Sequence, residues 1–337
     1  MPLAAGFTAG GQLRAAVLHP RVVVVAMFEI GADTGDAPGE FQFWVEREHL
    51  DQLIPVAGAY HGVRANADGS VIAIVTGAGN INAAATIMAL GYDPHFDLSR
   101  SYWLVAGIAG IDPNVGSLGS AAWAEYVVDG DLAHEIDARE MPADWTTGRV
   151  PLGKTKPYEG SAQPPYLGVD QVFHLNPALV HWAFNLTRDT PLADNPRMKA
   201  RRETYVGYPN ALRPPFVLIG DNLAASTYWH GARLNAWAEE WVKYHTGGQG
   251  HFATSAMEDT GTLEALTRLT HAGRADVQRA LVLRTASNFD MQWPGGTASE
   301  SMSGEKNGVY TAYRPSLEAA YLVGSRVVHA LVKGDPH

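Results

Sequence analysis

Carboxylates, amides and hydroxyls are the residue types through which this chain could do chemistry, because the alternatives are missing. Its 337 residues include no cysteine, which removes disulfides, thiolate metal sites and thiol nucleophiles. The 13 histidines are dispersed, with no H-E-x-x-H and no pair beside a carboxylate at ligand spacing, so no metal is expected. The nearest cluster, His134-Glu135-Ile136-Asp137, reads as a solvated loop. No G-x-S-x-G elbow offers a serine nucleophile. Gly77-Ala78-Gly79-Asn80-Ile81-Asn82-Ala83 partly matches a dinucleotide fingerprint, but its third glycine is absent. It reads better as a tight turn into a helix, and no cofactor is expected. Two polar strings remain. Ser255–Thr260 (SAMEDT) precedes an amphipathic helix, where Glu258 alone would read as a cap favoured by the helix dipole. Thr285–Asp290 (TASNFD) follows an apolar strand and alone would read as a polar turn.

The elements that must position these residues follow one grammar. Arg21–Met27, Val71–Val75, Tyr102–Val105, Phe216–Ile219 and Ala280–Leu283 are continuous aliphatic or β-branched runs. Strands buried on both faces read that way. Each run ends in glycine or small polar residues. Between them lie helical patterns at Asn82–Leu90, Asn235–Tyr244, Thr262–His271 and Pro315–Leu331. The alternation predicts an α/β fold with a mixed, mainly parallel central sheet flanked by helices. Ligands of such sheets bind beyond the carboxyl ends of the strands, where the Gly and Asp/Asn/Glu clusters fall. Residues 1–19 are expected to be a flexible leader and 20–334 a single domain. The stretch Asp137–Pro215 is rich in proline, tyrosine and asparagine and reads as a long irregular insertion, with a short helix expected over His174–Thr187.

Composition narrows the partners. A formal net charge of -10 repels phosphate backbones, so no nucleic acid is expected. The longest apolar runs, Val22–Met27 and Trp103–Ile111, are far short of the roughly 18–20 residues of a membrane span. The leader and the lack of cysteine favour the periplasm slightly over the cytoplasm.

Taken together, the polar strings resemble the nucleoside phosphorylase and nucleosidase superfamily. There a Met-Glu pair grips the ribose, and a Ser-Asp or Thr-Asn pair after the next strand faces the purine. Val22–Glu29 (VVVVAMFE), Thr76–Leu90 and Val105–Ala124 resemble its first strand, its glycine turn with Ala-rich helix, and its second glycine-rich turn. Phe28–Glu46, Val105–Val115, Gly220–Gly231 and Thr254–Thr262 are similar to one branch, the purine nucleoside permease family. The similarity runs from about Pro20 to Lys333.

The resemblance implies a nucleoside phosphorylase-like fold, a purine nucleoside as partner, a homo-oligomer, and cleavage of the bond between sugar and base. By that resemblance Glu258 accepts hydrogen bonds from the ribose, Met257 packs on the sugar, and Glu29 orients or deprotonates water. Asn288 and Asp290 serve the base. Gly107, Asn222, Tyr228 and Phe289 complete the expected binding set, with Trp229 a further stacking candidate. Two departures matter. Val105 and Ile108 stand where phosphorylases carry an arginine and a serine for phosphate, which disfavours phosphorolysis. Asn288 stands where nucleosidases usually carry Asp, and an amide cannot deliver a proton. The expected function is therefore a purine nucleosidase. The alternatives are a non-catalytic nucleoside-binding protein for uptake and a phosphate-dependent phosphorylase.

Overall fold

The computed structural model describes residues 17–162, 170–306 and 311–336. The first sixteen residues of the expected leader lie outside that set. Leu18 is already pinned, bridging to Phe96 and donating its N–H to the His95 carbonyl at 2.8 Å.

The β-branched runs form strands buried at every position: β1 (Val22–Ala26) and β4 (Val71–Val75). Between them lie α1 (Gln42–Arg47) and the pair β2 (Gln52–Ile54) and β3 (Val63–Ala65). Then come α2 (Asn80–Tyr92), β5 (Tyr102–Ile111), β6 (Ala121–Trp123) and β7 (Tyr126–Asp129). β8 (Ala133–Glu135) and β9 (Arg149–Pro151) make a separate ribbon. β10 (Val172–His174), α3 (Pro177–Thr187) and α4 (Pro196–Glu203) follow. The chain continues through β11 (Val217–Ile219), β12 (Asp221–Ala224), α5 (Ala232–His245), β13 (Phe252–Ala256) and α6 (Asp259–His271). It ends with β14 (Ala280–Phe289), α7 (Ala298–Lys306) and α8 (Tyr313–Lys333).

Apart from the ribbon, these strands form one mixed sheet of order β10-β7-β12-β13-β5-β1-β4-β3-β2, with β14 on β5, β6 on β14 and β11 on β6. The centre is parallel, with β1 between β4 and β5 and β14 beside β5. Antiparallel pairs sit at the β2–β3–β4 and β10–β7 margins, where β13 meets β5 and where β6 meets β14. α8 covers β5 and β14, while α2 packs on α6. This is the mixed α/β architecture the alternating pattern predicts.

The insertion holds more order than its composition suggests. α3 begins at Pro177, not His174, because the Asn176 side chain accepts the Ala178 and Leu179 N–H groups and Pro177 occupies the first helical position. His174 instead closes β10, opposite Tyr126.

The two stretches that read as turns are strands. β5 runs on through Ala106-Gly107-Ile108-Ala109-Gly110, and β14 through Thr285–Phe289 with all its residues buried. Partners on both sides explain this. β5 parts from β1 after Val105, meets β13 at Gly110 and stays paired with β14. The glycines there supply room rather than a turn. A Cβ on Gly107 would collide with Met27 Cε and Glu40 Oε1, and one on Gly110 with Asp290 Oδ1 and Ser255 Oγ. Where β5 leaves β1, the sheet splays and opens a crevice beyond the carboxyl end of β1.

Candidate functional site

That crevice holds a cavity of about 190 Å³. Met27 and Phe28, just after β1, line one side, and Ile108 to Gly110 of β5 form its back. Ser255 of β13 and Met257 and Glu258, leading into α6, form another wall. From β14 come Arg284, Ser287 and Asn288. Consecutive strand residues normally face opposite ways. A bulge between Ala286 and Asn288 lets both Ser287 and Asn288 line the cavity. Tyr228 and Trp229 stand on its remaining side.

The charges are arranged around Arg284, which is 1% exposed. Its Nη2 donates to Asp259 Oδ2 at 2.9 Å and to Glu258 Oε2 at 3.3 Å, and its Nη1 to the Ile108 carbonyl at 3.1 Å. Burial opposes the guanidinium charge, but Asp259, Glu258 and Glu40 together hold it protonated. Glu258 also accepts the Gly79 N–H at 3.1 Å. It makes no cap hydrogen bond to α6, so its carboxylate is turned to the cavity and not to its own helix. Burial raises its pKa against the pull of Arg284.

A second carboxyl, Glu40, faces the same space. It comes from the irregular strap between β1 and α1. Its Oε2 accepts the Met27 N–H at 2.8 Å and its Oε1 the Ile108 N–H at 2.7 Å. Burial pushes its pKa up to about 8, with Arg284 opposing and Glu258 adding to the shift.

Of the residues picked from sequence, the structure brings Glu258, Met257, Asn288, Tyr228 and Trp229 together on the cavity. Asn288 Oδ1 accepts from Ser287 Oγ at 2.8 Å, while its Nδ2 reaches the Tyr228 hydroxyl at 3.5 Å and the Phe289 carbonyl at 3.2 Å. The others stand off the cavity. Glu29 is a strap anchor: its carboxylate accepts the N–H groups of Ile30, Gly39, Phe41 and Gln42. The last two are at the start of α1, where orphan donors need partners. Asn222 is fully buried and ties β12 to β13 through Thr254 Oγ1 at 3.0 Å. Phe289 packs on Tyr205, ring centroids 4.0 Å apart, in a core cluster with Leu118 and Met198. Gly107 lies beneath Glu40 and Met27. Asp290 sits one layer back, donated to by Ser255 Oγ at 2.6 Å.

Sequence reasoning passed over Glu40, Ser255 and Ser287. The strap carrying Glu40 has no periodicity to mark an inward position. The one available signal is its place in the stretch Phe28–Glu46, which carries the family resemblance.

A mixed sheet flanked by helices, with its crevice at the end of β1, is the architecture of the nucleoside phosphorylase and nucleosidase fold. The methylthioadenosine/S-adenosylhomocysteine nucleosidase of Helicobacter pylori aligns with a TM-score of 0.53 at 12% identity, covering 93% of this chain and 98% of that one. The Streptococcus pneumoniae enzyme gives 0.52 at 16%, again covering 93% and 98%. The chain belongs to the purine nucleoside permease family, whose profile matches residues 19–335. A probable purine nucleoside permease of Schizosaccharomyces pombe is 31% identical, with 81% of this chain and 79% of that protein aligned. The purine nucleoside permease of Candida albicans is 29% identical, with 94% and 76% aligned. Among the described residues, no helix is long and apolar enough to cross a membrane.

Proposed function

We propose that the cavity binds a purine nucleoside and hydrolyses its N-glycosidic bond to free base and ribose. The observation that carries this reading is the convergence of Glu258, Glu40 and Asn288 on one cavity. Glu258 and Met257 form the sugar wall, where the carboxylate accepts ribose hydroxyls and the thioether packs on the ring. Asn288 and Tyr228 form the base wall. Ser287 engages Asn288 Oδ1 and the Phe289 carbonyl takes one Nδ2 hydrogen at 3.2 Å, so the second Nδ2 hydrogen, which reaches the Tyr228 hydroxyl only at 3.5 Å, is the one offered to an acceptor on the purine edge.

Breaking the bond builds positive charge on the sugar and negative charge on the base. Glu258 and Glu40, both buried, stabilise the first. Glu40 also takes the proton of the attacking water. Phosphate fits poorly. The cavity's one cation among the described residues, Arg284, is already engaged by Asp259 and Glu258. Ile108 offers no side-chain donor, and a dianion facing two carboxyls is costly to bury.

The direct test incubates the purified protein with inosine, guanosine or adenosine, with and without phosphate, and separates the products by chromatography. Free base and ribose at a phosphate-independent rate are expected. Formation of ribose 1-phosphate would overturn the hydrolase reading.

One observation favours a second reading, nucleoside binding without turnover in the service of uptake. Asn288 donates but cannot protonate. A structural neighbour, an Asp-to-Asn variant of the H. pylori nucleosidase, holds 5'-methylthioadenosine in its active site. If Asn288 faces the base, Asn288→Asp should raise base release from adenosine ~10-fold or more, since a positioned acid contributes about 10²–10⁴. No gain would count against that orientation.

A further inference from the structure

Behind the base wall lies a carboxyl that the proposed reaction has not used. Asp290 follows β14, is 1% exposed, and stands behind Gly110 and Ser255, both of which line the cavity. Three neighbouring strands make this layer. Ser255 of β13 pairs with Gly110 of β5, and Gly110 pairs with Asn288 of β14. Ser255 and Asn288 therefore flank the same glycine. The missing side chain of Gly110 is what lets the Asp290 carboxyl and the Ser255 hydroxyl meet. Their hydrogen bond is 2.6 Å, and Asp290 Oδ2 has no partner among the described residues. A hydroxyl thus touches the cavity beside Asn288 on one side and a buried carboxyl on the other.

We propose that Ser255 and Asp290 form a proton relay to the departing purine, in which Ser255 protonates a ring nitrogen of the base and is reprotonated by Asp290. This rests on the hydrolase reading and supplies the acid that Asn288 cannot. As the bond from C1′ to the base breaks, its electron pair goes to the purine, which takes the Ser255 hydroxyl proton. The Asp290 carboxyl proton moves to Ser255 Oγ, leaving a carboxylate. Water bonds to C1′ and gives its proton to Glu40. The sum is nucleoside plus water to base plus ribose. The proton displaced from Asp290 to Glu40 re-equilibrates through solvent after release.

The surroundings suit a proton store. Burial holds the Asp290 carboxyl well above the usual range, against the Ser255 hydrogen bond and with the charge of Asp112 adding to it. Asp112 is itself buried and paired with Glu239 of α5. The Asn114 amide bridges both carboxyls, at 3.0 Å to Asp112 and 3.2 Å to Glu239. Glu239 opens onto a surface groove that also holds Lys243. The charge of Asp112 favours the protonated form of Asp290.

The leaving group separates a relay from a merely structural role. Inosine needs a proton to depart, whereas 7-methylinosine carries a cationic base and leaves without one. In Ser255→Ala and Asp290→Asn, inosine hydrolysis should fall ~100-fold, at the low end of what acid catalysis contributes. Turnover of 7-methylinosine should change less than about threefold, because no transition-state interaction with it is lost. Ser255→Ala sits on the cavity wall and keeps the test open if the buried Asp290 variant folds poorly. Equal slowing of both substrates, or no slowing of inosine, would overturn the relay and leave the hydrolase reading standing. A wild-type protein inert toward both nucleosides would remove that reading and the relay with it.

Discussion

Arg284→Met is expected to cost about 3–5 kcal/mol of folding stability, the usual consequence of removing one partner from a buried ion pair. The guanidinium is the shared counter-ion of Asp259, which is 0% exposed, and Glu258, which is 6% exposed. Methionine fills a similar volume but leaves both carboxylates buried without a cation, and it orphans the Ile108 carbonyl that Arg284 now satisfies. Urea unfolding of the two proteins measures the difference. The deficit should shrink in acid, where buried carboxyls take up protons. A loss below about 1 kcal/mol, the range of exposed pairs, would mean that the ion cluster is solvated and not the electrostatic anchor of the site.

Glu40→Gln should lower base release by ~10²–10⁴ with little change in nucleoside affinity, because it removes a proton acceptor. Glutamine keeps one acceptor for the Met27 and Ile108 N–H groups and turns its own amide on the other. Stability should therefore be followed alongside, so that a local packing loss is not read as lost chemistry. The pH dependence gives an independent readout. Glu40 acts only when ionised, and burial sets its pKa at about 8. In the wild type kcat/KM should climb as pH rises through neutrality and level off above that value. The climb should be absent from the residual activity of the variant. A parallel rise in KM with kcat preserved would make Glu40 a binding group instead.

Much of the frame was legible because buried strands announce themselves as unbroken β-branched runs. β1 and β4 begin and end within a residue of where VVVVAM and VIAIV suggest, and α8 extends its expected span by two residues at each end. The limits of β5 and β14 were not legible. Gly107 and Gly110 look like turn residues to any local rule, yet they stay extended because β13 and β14 supply hydrogen-bond partners from far along the chain. The same long-range pairing turns the polar string TASNFD into strand. Alternation then sends Phe289 into the core beside Tyr205, while a bulge keeps Ser287 and Asn288 together on the cavity. No local pattern encodes that bulge.

Glu29 and Glu40 show the limit most clearly. Both are glutamates of one irregular strap. Glu29 stands next to the strand and so attracts attention, but its carboxylate is consumed by four backbone N–H groups. By folding the strap onto α1, it helps swing Glu40 back over Gly107 to the cavity. A residue's distance from the strand end was the wrong measure, because the strap doubles back.

The most direct measurement is the affinity of wild type and Glu258→Ala for a C-nucleoside analogue of inosine, in which a carbon–carbon bond replaces the scissile linkage, determined by titration calorimetry. The substitution leaves the Arg284 to Asp259 pair in place and removes no cap from α6, so the fold should persist. Binding by wild type and its loss in the variant is the predicted result. Equal affinity in the two proteins would mean that the sugar does not rest on Glu258, and that this cavity is not where a nucleoside sits.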